Sequence, residues 1–174
     1  RNKYWKAQKF SKVFRLNSLL SALLAPCKLV LKSMSFDCIT LWGEGLDVQD
    51  SIKIPKADLF RSMLMNFILC LAGNFLGPFV KTPEMYVLES VKWSIRACYF
   101  YITEKIASVD STVMFFKLLN RNNPNLSGKR SFDQFLDDFL RYRSDHNRTD
   151  VKFRLKACLA IIKIHYAIEL DKDR

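Results

Sequence analysis

The sequence predicts a mainly α-helical fold, a single domain of six or seven helices, on three observations. Only 5 Gly and 5 Pro occur in 174 residues, whereas a sandwich or barrel needs a turn about every 8–12 residues. Apolar residues recur at spacings of three and four over most of the chain, the period of a helix with one buried face. Hydroxyl, Asp and Pro start signals precede several of these runs. A composition of 49% apolar and 26% charged residues with 14 Phe supplies a large core and excludes disorder of the whole chain. The expected division is a basic amino-terminal helical segment, 1–36, followed by a helical core domain, 37–174.

The first helix is expected over residues 4–24, ending before Pro26, with Leu16, Leu19, Leu20, Leu23 and Leu24 on one face. Residues 36–54 fit neither period cleanly. Phe36, Cys38, Ile39, Leu41 and Trp42 before Gly43-Glu44-Gly45 leave room for a small β-hairpin. Pro55 suits a first helical turn, and the apolar run 59–71 reads as a mostly buried helix ending near Gly73. Residues 62–80 carry no charge and reach the length of a membrane span. Asn66, Asn74, Gly73, Gly77 and Pro78 within that stretch favour a buried core helix instead.

Thr82-Pro83-Glu84 combines a capping hydroxyl, a proline at the first helical position and an acid at the positive end of the dipole. The helix it opens is expected to run to about residue 108 at the centre of the fold. Leu88, Val91, Ile95, Cys98, Ile102 and Ile106 form one stripe, and Trp93, Ala97, Phe100 and Tyr101 a second. Asp110 or Ser111 is expected to cap a Phe-rich helix through about Leu119, and residues 120–130 to form the clearest exposed loop. Ser131-Phe132-Asp133-Gln134 reads as a capping box ahead of the stripe Phe132, Phe135, Leu136, Phe139 and Leu140, with Asp133, Asp137 and Asp138 solvent-facing. Thr149 or Asp150 is expected to cap the last helix, from Val151 to about Leu170. Residues 91–98 and 151–158 echo each other at an offset of 60, which suggests two stacked helical units, though chance likeness between amphipathic helices is the stronger reading.

No catalytic constellation emerges. Two His and no Cys-x-x-Cys or His-Glu-x-x-His leave no metal motif. Cys158 and His165 share a helix face but are separated by about 10 Å, at 1.5 Å per residue, too far for a nucleophile and its base. They read as a core thiol and a half-buried imidazole. Gly43-Glu44-Gly45 lacks the rest of a dinucleotide fingerprint, so neither cofactor nor metal is expected. Cys27, Cys38, Cys70, Cys98 and Cys158 are widely spaced and odd in number, as free thiols in a reducing, intracellular compartment would be. Sequons at Asn125 and Asn147 point the other way, but no secretory segment precedes them. The chain opens at Arg1 rather than Met, as a processed or truncated product would.

Charge is the strongest functional signal. The net charge is +11, and residues 1–36 hold Arg1, Lys3, Lys6, Lys9, Lys12, Arg15, Lys28 and Lys32 with no acid, so this segment alone carries +8. A local cationic field attracts polyanions whatever the fold beneath it. Lys3, Lys6, Lys9, Lys12, Arg15, Lys28 and Lys32 are therefore the candidate polyanion-binding residues, with Trp5, Phe10 and Phe14 interleaved to stack on unpaired bases or sit at a lipid boundary. The competing reading is a merely solvated basic face. Lys129, Arg130 and Ser131 after Gly128 form a candidate anion loop at the amides of residues 131–133. In gross terms a basic, Phe-rich helical chain is similar to some matrix and nucleocapsid proteins of RNA viruses, an analogy that no motif carries. The expected function is a non-enzymatic binding or assembly protein engaging a polyanion, RNA first and an anionic membrane surface second. The alternatives are a membrane-apposed structural protein and a helical-repeat subunit of a larger complex.

Overall fold

The computed structural model describes residues 28, 29, 32, 54–75, 82–123, 128–145 and 150–172, the last four by backbone alone. The expected first helix and the candidate hairpin fall outside these residues. Five helices account for most of what is described, in the order α1 (Lys56–Phe75), α2 (Pro83–Thr103), α3 (Val109–Asn122), α4 (Lys129–Ser144) and α5 (Val151–Lys172). No strand occurs among the described residues. Lys28, Leu29 and Lys32 also have helical backbone.

Helix α2 touches all four other helices, as expected of the central element. Leu88, Val91, Ile95 and Cys98 are buried along its first stripe, and Phe100 and Tyr101 along its second. Trp93 departs from that second stripe and is exposed. Val87, Ser90 and Ser94 are fully buried instead, because small side chains let α1 and α5 approach closely. The helix stops at Glu104, not residue 108. Glu104 adopts a left-handed conformation at φ 51 and its N–H closes on the Phe100 carbonyl at 2.8 Å, an αL stop normally given to Gly. Ile106 consequently leaves the stripe and is exposed. Thr82 precedes the helix without a side-chain cap; Pro83 opens it.

The next start signal is also displaced. Ser108, rather than Asp110 or Ser111, caps α3, its Oγ accepting from the Ser111 N–H at 3.2 Å. Helix α3 then continues into the start of the expected loop, to Asn122. Asn120 is fully buried there, its amide donating to the Lys129 carbonyl at 3.0 Å and to Asp133 Oδ1 at 2.9 Å. Sequence chemistry marks Asn as a loop residue; a tertiary partner overrides that preference. The Ser131 capping box does not form: α4 starts three residues earlier behind Gly128 at φ 64, and Ser131 is exposed. At the last helix Asp150 Oδ1 does accept from the Phe153 N–H.

Helix α1 runs past Gly73 to Phe75 and is only half buried. Leu59, Ser62, Asn66, Cys70 and Gly73 face inward, while Phe60, Met65, Ile68 and Phe75 are exposed. No described helix is long and apolar enough to cross a membrane. Gly73 sits at the α1–α2 crossing: a Cβ there would meet Tyr86 Cβ at 2.9 Å, the Pro83 carbonyl at 3.0 Å and Val87 Cγ2 at 3.2 Å. Gly73→Ala gains about 1 kcal/mol of helix propensity and incurs about 1–3 kcal/mol of overpacking. Two of the three obstacles belong to the neighbouring helix's stem and backbone, so the clash wins. Urea denaturation is expected to show net destabilisation of about 1 kcal/mol; a gain would mean the crossing opens freely.

The 60-residue echo does not mark equivalent units. Val91 and Ile95 are fully buried, whereas their counterparts Val151 and Leu155 are exposed; Trp93 is exposed where Phe153 is buried. The two helices share a pattern but bury different faces.

Candidate polyanion interface

Of the predicted polyanion contacts, Lys3, Lys6, Lys9, Lys12 and Arg15, with Trp5, Phe10 and Phe14, lie outside the described residues. Lys28 is exposed, and its backbone N–H donates to Asp58 Oδ2 at 2.6 Å, which fixes this point of the chain against the start of α1. Lys32 has a different role from the one expected. It is buried, and its ammonium donates to Glu104 Oε1 at 3.2 Å. A buried ammonium needs a charged or hydrogen-bonding partner, so Lys32 ties the chain to the αL end of α2 instead of presenting charge to a ligand.

The candidate anion loop is likewise rearranged. Lys129 Nζ donates to the Arg121 carbonyl at 3.0 Å, closing the end of α3 onto the start of α4. The Phe132 N–H donates to the Gly128 carbonyl at 3.1 Å, so the amides of residues 131–133 do not form a shared cradle. Arg130 remains exposed.

Seven described carboxylates are paired with bases. Asp58 pairs with Arg61, Glu84 with Arg154, Glu89 with Lys92, Glu104 with Lys32, Asp133 with Arg121, Asp137 with Lys117 and Asp138 with Arg141. Asp137 faces solvent as expected and Asp133 is largely covered; both pair across to α3, with Lys117 and Arg121. By contrast Lys105, Arg130, Arg143, Lys152 and Lys156 are exposed and form no ion pair among the described residues. Arg143 and Lys152 are the sequence neighbours of Tyr142 and Phe153, whose ring centroids are 4.7 Å apart where α4 meets α5, and Asp145 and the capping Asp150 stand at the same two helix ends. Trp93, exposed between Lys92 and Arg96 at 5.3 and 5.7 Å from its ring centroid, adds an aromatic surface bounded by cations. Sequence reading missed it because Trp93 continues an apolar stripe; only the position of α3 decides which part of that stripe is covered.

The remaining reactive groups are internal. Cys70, Cys98 and Cys158 are free and buried. The fold brings Cys70 and Cys158, distant in sequence, to 3.4 Å between sulfurs, with the Asn74 amide donating to the Cys70 and Arg154 carbonyls at 2.9 and 3.2 Å. Burial pushes the Cys70 and Cys98 thiols up from their ordinary range, and Cys158 raises Cys70 further, which disfavours the thiolate a nucleophile needs. His165 is buried rather than half-buried. Its Nδ1–H donates to the Ile161 carbonyl at 2.9 Å while Nε2 has no partner, and desolvation lowers its pKa to about 4 despite that hydrogen bond. Among the described residues no three metal-ligating side chains converge. No family model, curated protein or solved structure matches the chain.

Proposed function

We propose that this is a non-enzymatic helical binding or assembly protein that holds a polyanion, single-stranded RNA first, through its basic surface. The observation that carries the reading is the asymmetric use of charge. Seven described acids pair with bases between and within helices, while Lys105, Arg130, Arg143, Lys152 and Lys156 are exposed and unpaired among the described residues, and the acid-free segment 1–36 adds eight bases to the composition. Such a surface attracts phosphates without reading bases, and the aromatic rings at Trp5, Phe10, Phe14 and Trp93 offer stacking that every base can accept. Buried free thiols suit a reducing compartment.

The test is a salt titration against single-stranded RNA of mixed sequence. If about five phosphates are neutralised, log affinity falls against log salt with a slope near −3.5, at about −0.7 per contact. Charge reversal at Lys6, Lys9 and Lys12 is expected to flatten the slope by roughly two. Equal slopes for the two proteins would return the segment to a solvated face.

A further inference from the structure

Helix α5 has two apolar faces. Its inner face, Phe153, Ala157, Ile161, Ile164 and Ile168, is buried. On its outer face Leu155, Leu159 and Tyr166 are exposed, Leu159 to 70%, at the four- and seven-residue spacings that place them in one row. Helix α1 carries a matching row of Phe60, Ile68 and Phe75, the last exposed to 75%. Two contacts between the helices fix how the rows sit. Cys70 meets Cys158, and Asn74 meets the carbonyl of Arg154, so the helices are antiparallel. At about 100° per residue both rows lie on the same rotational side of that contact line, which in an antiparallel pair puts them on one side of the molecule. At 1.5 Å per residue the α1 row from Phe60 to Phe75 covers about 22 Å and the α5 row from Leu155 to Tyr166 about 16 Å.

We propose that this two-helix face docks in plane on an anionic lipid surface. Its chemistry is that of an interfacial element: rings and branched side chains in the middle, and Lys152 and Lys156 exposed along the α5 edge with stems long enough to keep their ammonium groups at headgroup level. Between residues 62 and 75 α1 has no charged residue at all. No described carboxylate pairs with the α5-edge lysines, and anionic headgroups complement that edge. The two helices are held side by side by the Cys70, Asn74 and Cys158 contacts, so both rows can meet one lipid surface together. The face shares Lys152 and Lys156 with the exposed bases of the RNA reading, and a Phe75→Ser/Leu159→Ser variant, which keeps both lysines, separates the two.

The experiment is flotation of the full chain with vesicles of 70% phosphatidylcholine and 30% phosphatidylserine and with pure phosphatidylcholine, for wild type, the Phe75→Ser/Leu159→Ser variant and the Lys152→Glu/Lys156→Glu variant. Wild type is expected to float with the anionic vesicles and to retain part of its binding in 0.5 M salt, since apolar insertion is not screened. The serine variant is expected to lose at least tenfold in partitioning, with unchanged melting temperature and RNA affinity. The glutamate variant is expected to lose binding to anionic vesicles only. Wild type that stays unbound, or a serine variant that floats like wild type, overturns the proposal. A lowered melting temperature in the serine variant would show that the chain itself covers the face, and a concentration-dependent dimer abolished by the same changes would assign it to a second copy; either overturns it too.

Discussion

Between pH 7 and pH 4 the folded protein is expected to lose about 3 kcal/mol of stability on account of His165 alone. The imidazole is buried and neutral, with a pKa of about 4, against about 6.5 in an unfolded chain. Between those values the unfolded state binds a proton that the folded state refuses, so stability rises with pH across the window. The contribution is fully present above pH 6.5, declines as pH falls, and levels off below about 4. The physical cause is desolvation: protonating Nε2 would create a charged donor with no acceptor beside it. His165→Leu removes the titrating group and leaves the Ile161 carbonyl its ordinary backbone partner. Urea denaturation at pH 7.0, 5.5 and 4.5 is expected to show wild type falling relative to the variant. Parallel curves would mean that His165 reaches solvent.

Phe153→Ala is expected to cost about 3–5 kcal/mol, the range for emptying an aromatic core position. Phe153 is buried, stacked on Phe135 with ring centroids 5.0 Å apart and 10° between planes, and edge-on to Tyr142 at 4.7 Å. It therefore joins α4 to α5, and aromatic pairs contribute about 0.5–1.5 kcal/mol each beyond area burial. The comparison is Leu159→Ala on the same helix, which exposes its side chain and should change stability by no more than about 0.5 kcal/mol. Denaturation midpoints for the pair measure which face of α5 is core. A large loss at Leu159 would contradict the exposed row.

Helix α4 shows how far sequence pattern reaches. Phe132, Phe135, Leu136 and Phe139 recur at helical spacing and are buried as that spacing demands, yet the capping box ahead of them is unused because Gly128 allows the helix to start earlier. The central helix was legible from its apolar period and Pro83; its end was not, since a left-handed Glu is a stop that no propensity marks. Lys32 illustrates the same limit for the candidate site. Its charge is written in the sequence, but its burial beside Glu104, 72 residues away, is not.

Local order is what the sequence determined by itself: helical class, the amphipathic rows, a cap at Thr149 or Asp150 and the concentration of positive charge in residues 1–36. These depend on neighbours within four residues or on simple composition. Tertiary packing alone decided which of two apolar rows on α1 and α5 is core, which carboxylates consume which bases, and that Cys70 lies against Cys158. Two apolar rows on one helix are equivalent by hydropathy, and the choice between them falls to whichever neighbour fills space at close-packed density. The proposed lipid face is the row left over from that choice.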